Sequence, residues 1–277
     1  MYKIDSHHHF WKYDPVEYDW ITDEMATIRR DFKPADLRLE TEKTGISGVI
    51  SVQARESVDE TLALLTYANA NDFIKGVVGW VPLNDPNVSD VIGKLALNRK
   101  LRGVRHLLQG EPDPDYMLRK DFNRGIATLR QFGLTYDVLI YERQMPQTIQ
   151  FVDRHPDQIF VLDHFGKPRV KARELSPWRE RMFELAKRPN VHCKLSGLVT
   201  EADYHGWTEQ QLAPYFDVAL QAFGPERLMF GSDWPVCLVA TTYANWVRIV
   251  AKHCSGLSPS EQERIWSGTA IKAYGLS

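Results

Sequence analysis

The chain has 277 residues, with 34 Lys and Arg against 36 Asp and Glu, 43% apolar residues and three cysteines. These proportions exclude disorder, collagen-like repeats and a disulfide scaffold. The near-neutral balance, a formal net charge of −2, offers no basic surface for nucleic acid or an anionic membrane. Cys193, Cys237 and Cys254 are odd in number and never spaced C-x-x-C, which argues against a structural zinc ribbon. The N-terminal MYKIDSHHHF reaches charge and histidine without an apolar h-region, so no signal peptide is expected. No apolar run approaches the roughly 18–20 residues of a membrane span. The expectation is a cytoplasmic enzyme or binding protein, with room for a homo-oligomer.

Short β-type runs recur along the chain: Lys3–His9, Gly48–Ala54, Lys75–Val81, Leu101–Leu107, Leu134–Tyr141, Ile159–His164, Val191–Ser196 and Leu228–Asp233. Most are rich in Val, Ile, Leu or aromatics and bounded by Gly, Pro, Asn or Asp, as buried strands are. Phe10–Arg30, after the first run, is long and carries Trp11 and Trp20, and reads as a lid or an interface. Ser57-x-x-Glu60 and Thr208-x-x-Gln211 have the capping-box pattern of helix starts. Ser176-Pro177 and Ser258-Pro259 put a capping residue before a proline at the first helical position. The Pro- and Asp-rich stretches Asn84–Asn87 and Gly110–Asp115 follow the third and fourth runs, as long βα loops would. Eight strands alternating with helices, without a linker, predict one domain over residues 1–277, a (β/α)8 TIM barrel of the α/β class. An open doubly wound sheet is the weaker alternative, since no G-x-G-x-x-G or P-loop follows any run.

Residues two apart on a strand share a face. That puts Asp5, His7 and His9 together, and two imidazoles about 7 Å apart along a strand can tilt onto one metal ion or one carbonyl oxygen. The same parity pairs Ser51 with Gln53, Asp137 with Tyr141, and His192 with Lys194 and Ser196, while Val191, Cys193 and Leu195 face the helices. The third run ends in Trp80, the sixth in His164 and the eighth in Asp233-Trp234-Pro235. Polar and aromatic groups therefore gather at the C-terminal strand ends, where barrel enzymes carry their sites. Arg105 and His106 are adjacent, so parity leaves open which of them faces the site. His155, His205 and His253 fall in helix or loop contexts and read as surface residues. The cysteines match no nucleophile pattern, and no G-x-S-x-G elbow supplies a serine.

Five motifs, Asp5-Ser-His7-His-His9-Phe-Trp11, Leu101-Arg-Gly-Val-Arg105-His106, Leu162-Asp-His164-Phe-Gly-Lys-Pro168, Asn190-Val-His-Cys-Lys194-Leu-Ser-Gly197 and Met229-Phe-Gly-Ser-Asp233-Trp-Pro235, resemble the amidohydrolase-2 branch of the amidohydrolase superfamily, and within it the sugar-lactone hydrolases. The resemblance implies a barrel in which His7, His9, His164 and Asp233 surround a reacting carbonyl, with or without a divalent metal. Lys194 at the mouth, with His192 deeper, departs from the pattern of a two-metal centre. In this reading the substrate is a small sugar lactone. Asp233 takes the proton of water and returns it to the leaving alkoxide. His7, His9 and His164 polarise the carbonyl. Gln53, Arg105, His106, Tyr141 and Lys194 bind hydroxyls or the carbonyl, and Trp80 gives the ring a stacking face. At most one weakly held Zn²⁺, on His7, His9, His164 and Asp233, is expected, not essential to the rate, and no organic cofactor. The rivals are a metal-dependent decarboxylase of the same superfamily and a non-catalytic sugar-binding protein.

Overall fold

In the computed structural model, which describes residues 1–276, all eight apolar runs form strands: β1 (Ile4–His8), β2 (Gly48–Val52), β3 (Ile74–Gly79), β4 (Leu101–His106), β5 (Thr135–Val138), β6 (Phe160–Leu162), β7 (Val191–Leu195) and β8 (Leu228–Phe230). Each pairs in parallel with the next, in the order β1 to β8. Beyond the strand ends, a parallel bridge between His8 and Trp234 joins the last strand's extension to the first. The predicted barrel is correct. Helices lie between the strands: α1 (Pro34–Thr44), α2 (Val58–Ala70), α3 (Val88–Leu95), α4 (Lys120–Leu129), α5 (Met145–Asp153), α6 (Trp178–Ala186), α7 (Glu209–Phe223) and α8 (Tyr243–Cys254). Two short C-terminal helices follow, α9 (Pro259–Glu263) and α10 (Thr269–Tyr274). Among the described residues no helix is long and apolar enough to cross a membrane.

Strand residues are apolar on both faces because both are covered. Val49, Val77, Val104, Tyr136, Phe160 and Cys193 pack outward against the helices. Ile4, Ile50, Val52, Val78, Val161 and Met229 form a second cluster with Ala270, Ala273 and Tyr274 of α10. The C-terminal helix thus packs at one end of the barrel, and its Tyr274 donates to Asp137 at 2.8 and 2.9 Å.

Ser258 caps α9 as predicted, with Pro259 at the first helical position, and Gln211 Oε1 accepts from the Thr208 N–H at 2.7 Å. Two capping expectations need correction. Ser57 Oγ accepts from the N–H groups of Asp59 and Glu60, but the Glu60 carboxylate turns away to the N–H groups of Ala54 and Arg55, at 2.9 and 3.0 Å. Burial against the loop after β2 wins over the reciprocal cap. Pro177 stands at the cap position of α6 rather than inside its first turn.

Candidate active site

Closure of the barrel assembles the first part of the site. The Asp233 N–H donates to the His7 carbonyl at 2.8 Å and the His9 N–H to the Trp234 carbonyl at 2.7 Å. This short stretch of main chain fixes two imidazoles beside one carboxylate. His9 Nε2 lies 3.2 Å from His7 Nε2 and 3.4 Å from Asp233 Oδ1. One predicted partner is missing. A register shift between Asp5 and His8 breaks the alternation of β1. Asp5 therefore accepts from the Ser232 N–H at 2.8 Å and the Tyr243 hydroxyl of α8 at 3.1 Å instead of joining His7 and His9. Ser51 pairs with His8, at 3.0 Å.

His164 arrives by a different route. His164, Phe165, Gly166 and Lys167 have φ of 52°, 56°, 67° and 47°, four left-handed residues in succession. Each non-glycine there costs about 1–2 kcal/mol, and such strain persists where a site needs the geometry. Asp233, at φ 58°, is strained in the same way. The turn swings the His164 ring over the barrel, where Nδ1 meets Ser196 Oγ at 2.9 Å and Nε2 lies 3.8 Å from Asp233 Oδ1. Gly197, also left-handed, makes room for that ring: a Cβ there would stand 2.5 Å from His164 Nδ1.

Beneath these groups lies a buried ionic layer. Lys194 Nζ contacts Asp137 Oδ2 at 2.5 Å, Asp163 Oδ1 at 3.0 Å and His7 Nδ1 at 3.0 Å. Arg105 Nη1 donates to Asp163 Oδ2 at 2.9 Å and lies 3.3 Å from His7 Nε2, and its Nη2 also meets the Gln53 side chain at 3.0 Å. Asp163 was not singled out from the sequence. Strict alternation puts it opposite His164, and only the left-handed turn brings both inward.

Burial opposes the charge on Asp163, but Lys194, His7 and Arg105 outweigh it and hold the carboxyl well below its usual range. Burial lifts Asp137 to about 6 against the pull of Lys194. Burial pushes His164 down to about 4, against the attraction of Asp233 and Asp163, so its imidazole is neutral near pH 7. Asp233 is buried too, yet His164, the hydrogen bond and charge of His9, and Lys167 keep it below the ordinary carboxylate value. It is ionised at neutral pH.

These groups floor a cavity of about 390 Å³, within the range of small-molecule sites. His9, His164, Asp233, Arg105 and Tyr141 line it. Trp20 and Met25 of the long segment after β1 close one side. Four predicted contacts are corrected, because among the described residues the wall does not include Gln53, Trp80, His106 or Lys194. Lys194 belongs to the ionic layer, and Gln53 supports Arg105 from behind. Arg105 takes the inward direction of β4, so the adjacent His106 points outward. His106 stacks on Tyr116 between Glu56 at 3.0 Å and Glu111 at 2.6 Å, with the Trp80 indole nitrogen at 3.2 Å. His7 also sits just below the floor rather than on it. The sequence reading missed Gln109, Lys167, Glu201 and Tyr204 on the wall. Only Lys167 carried a signal, since it falls inside the His164 motif.

The donor set suits a cation. His9 Nδ1 lies 2.8 Å from the Val52 carbonyl oxygen, which can only accept, so the proton sits on Nδ1 and Nε2 offers its lone pair. That lone pair faces Asp233 Oδ1, another acceptor. Either a proton or a divalent ion relieves the opposition. His7, His164 and Asp233 present ligand atoms within 4.8 Å of one another, close enough to fit one zinc-like ion, and His9 Nε2 lies 3.4 Å from Asp233 Oδ1 beside them. The Val52 and Ser196 contacts supply the outer support that ligating imidazoles use.

Residues 4–276 match the profile of the amidohydrolase family. The chain is 42% identical to an L-fucono-1,5-lactonase of Burkholderia multivorans, across 99% of this chain and 96% of that protein. It is 34% identical to an L-fucono-1,5-lactonase of Burkholderia ambifaria, again across 99% and 96%. A crystal structure of an amidohydrolase from Burkholderia multivorans with bound zinc matches it with a TM-score of 0.97 at 41% identity, covering 100% of both chains.

Proposed function

The chain belongs to the amidohydrolase family, and from that premise we propose that it opens a neutral, polyhydroxylated sugar lactone to its hydroxy acid. The observation that carries this reading is Asp233, a buried carboxylate kept ionised at the floor of a ring-sized cavity beside two imidazoles and a guanidinium. The lactonase names of the relatives support the same choice.

Asp233 takes a proton from the attacking water and later delivers it to the departing ring oxygen. A carboxylate with so low a pKa is a weak base, but an ester-like bond asks less of it than an amide does. Arg105, braced by Asp163 and Gln53, stabilises charge developing on the carbonyl oxygen. His164 joins it when the Ser196 hydroxyl donates to Nδ1 and leaves the proton on Nε2. His7 acts from below the floor, its Nε2 donating to the His9 Nε2 lone pair while its Nδ1 accepts from Lys194. His7, His9, His164 and Asp233 would hold a divalent ion such as Zn²⁺, which when bound supplies Lewis acidity toward the carbonyl. In our reading that ion is weakly held and turnover does not require it, since Arg105 and His164 already offer N–H groups to the developing oxyanion.

A neutral substrate is favoured over a carboxylate-bearing one for decarboxylation. Among the described residues Arg105 faces Asp163 and Lys167 faces Glu201, so each cation on the wall is already opposed. A pH-indicator screen of aldonolactones and an aromatic dicarboxylate, before and after exhaustive chelation, tests the reading. Aldonolactones should be hydrolysed fastest, with rate retained after metal loss. Asp233→Asn should lower the rate by at least about 10²-fold in a folded protein. Faster turnover of the dicarboxylate, or an Asp233→Asn rate within tenfold of wild type, refutes it. Activity that falls in proportion to metal and returns with zinc moves the polarising role to the ion.

A further inference from the structure

Lys167 and Glu201 stand on the cavity wall. They come from different loops. Lys167 ends the left-handed turn that begins at His164, and Glu201 ends a 3₁₀ turn (Val199–Glu201) after β7. The Lys171 N–H donates to the Glu201 carbonyl at 2.9 Å and ties the two loops together. Both side chains are mostly buried, at 15% and 19% exposure, yet Nζ and Oε1 are 3.5 Å apart. That is the outer limit of a hydrogen bond, so the ammonium and the carboxylate keep donors and acceptors for a third party. The Tyr141 ring, 5.3 Å from Nζ, bounds the ammonium on another side.

An ammonium beside a carboxylate on a cavity wall suits a ligand that both donates and accepts. A hydroxyl does both; a bare lactone ring has only acceptors. An anion is a poor fit, because Glu201 stands against the one ammonium on this wall.

We propose that Lys167 and Glu201 form a subsite that reads a pair of neighbouring ring hydroxyls, and so set the preference for polyhydroxylated lactones. Glu201 accepts from one hydroxyl while Lys167 donates to the next. This rests on the lactonase reading above, and Lys167 and Glu201 are substrate-binding residues in it.

The test compares kcat/KM for an aldonolactone with that for valerolactone, a lactone ring without hydroxyls, in wild type, Glu201→Gln and Lys167→Met. Thermal melts check folding, and Glu201→Gln, nearly isosteric, decides alone if Lys167→Met does not fold. A site built to hydrogen-bond a hydroxyl discriminates strongly against its absence, so the aldonolactone preference should fall about 10²-fold in each variant, mostly through KM. A fall of less than tenfold in either folded variant overturns the proposal while lactonase activity stands. A wild type that hydrolyses no lactone overturns the lactonase reading, and this subsite with it.

Discussion

Replacing Gly197 by alanine tests whether the left-handed framework around His164 positions the site. The added Cβ would stand 2.5 Å from His164 Nδ1, 2.6 Å from Cγ and 2.9 Å from Cβ, on the side where Nδ1 meets Ser196. The atoms struck are a ring buried in the floor, not the loose end of a flexible chain, so the imidazole has to move. Two costs follow. The backbone at φ +63° charges an alanine about 1–2 kcal/mol, and overpacking adds about 1–3 kcal/mol. Chemical denaturation should therefore show a loss of about 2–5 kcal/mol, with Tm falling by about 2–4 °C per kcal/mol in a chain of this size. Displacing His164 by about 1 Å should cost activity about 10²-fold. The decisive comparison makes the same change in a His164→Ala background. With the ring gone, the contacts to Nδ1 and Cγ vanish and only the backbone strain, about 1–2 kcal/mol, and the 2.9 Å approach to the residue 164 Cβ remain, so the loss should be clearly smaller. An equal stability loss in both backgrounds, or activity within threefold of wild type for Gly197→Ala alone, refutes the argument.

Lys194→Met should destabilise the protein by about 3–5 kcal/mol, because it leaves Asp137 and Asp163 buried without their shared cation; urea titration measures it, and a loss below about 1 kcal/mol would mean that the ionic layer is not structural. Glu60 gives a pH test. Burial raises its carboxyl from 4.5 to about 7, although Arg55, Ala54 and Tyr18 donate to it. The folded chain holds this proton more tightly than the unfolded one, so the contribution is complete below about pH 4.5 and is lost as pH rises through about 7. The loss is about 3 kcal/mol. Glu60→Gln should remove that part of the slope in unfolding experiments at pH 5 and pH 8, and an unchanged slope contradicts it.

The strand plan was legible in the sequence because a parallel barrel buries both faces of each strand and leaves short apolar runs at a steady rhythm. The H-x-H pair, His164 and Asp233 were legible for a related reason: they stand where those runs stop. Alternation also assigned Lys194 and Asp137 correctly to the interior. It failed wherever the backbone departs from a regular strand. The shift in β1 turned Asp5 toward α8, and the left-handed turn drew Asp163 inward beside His164. Neither departure changes the pattern of apolar residues, so periodicity carries no trace of it.

The depth of Lys194 was equally hidden. Whether an inward lysine reaches the mouth or stays in the core depends on which carboxylates the neighbouring strands offer at its level. Here Asp137 and Asp163 capture it. The cavity wall was beyond the sequence for the same reason. Gln109, Lys167, Glu201 and Tyr204 lie in loops after different strands, and only the closed barrel brings those loops together. The sequence alone therefore determined the barrel and the chemistry at its strand ends, through local patterns of burial. Tertiary structure decided which groups touch and which carry charge, because contact and desolvation arise between segments far apart in the chain.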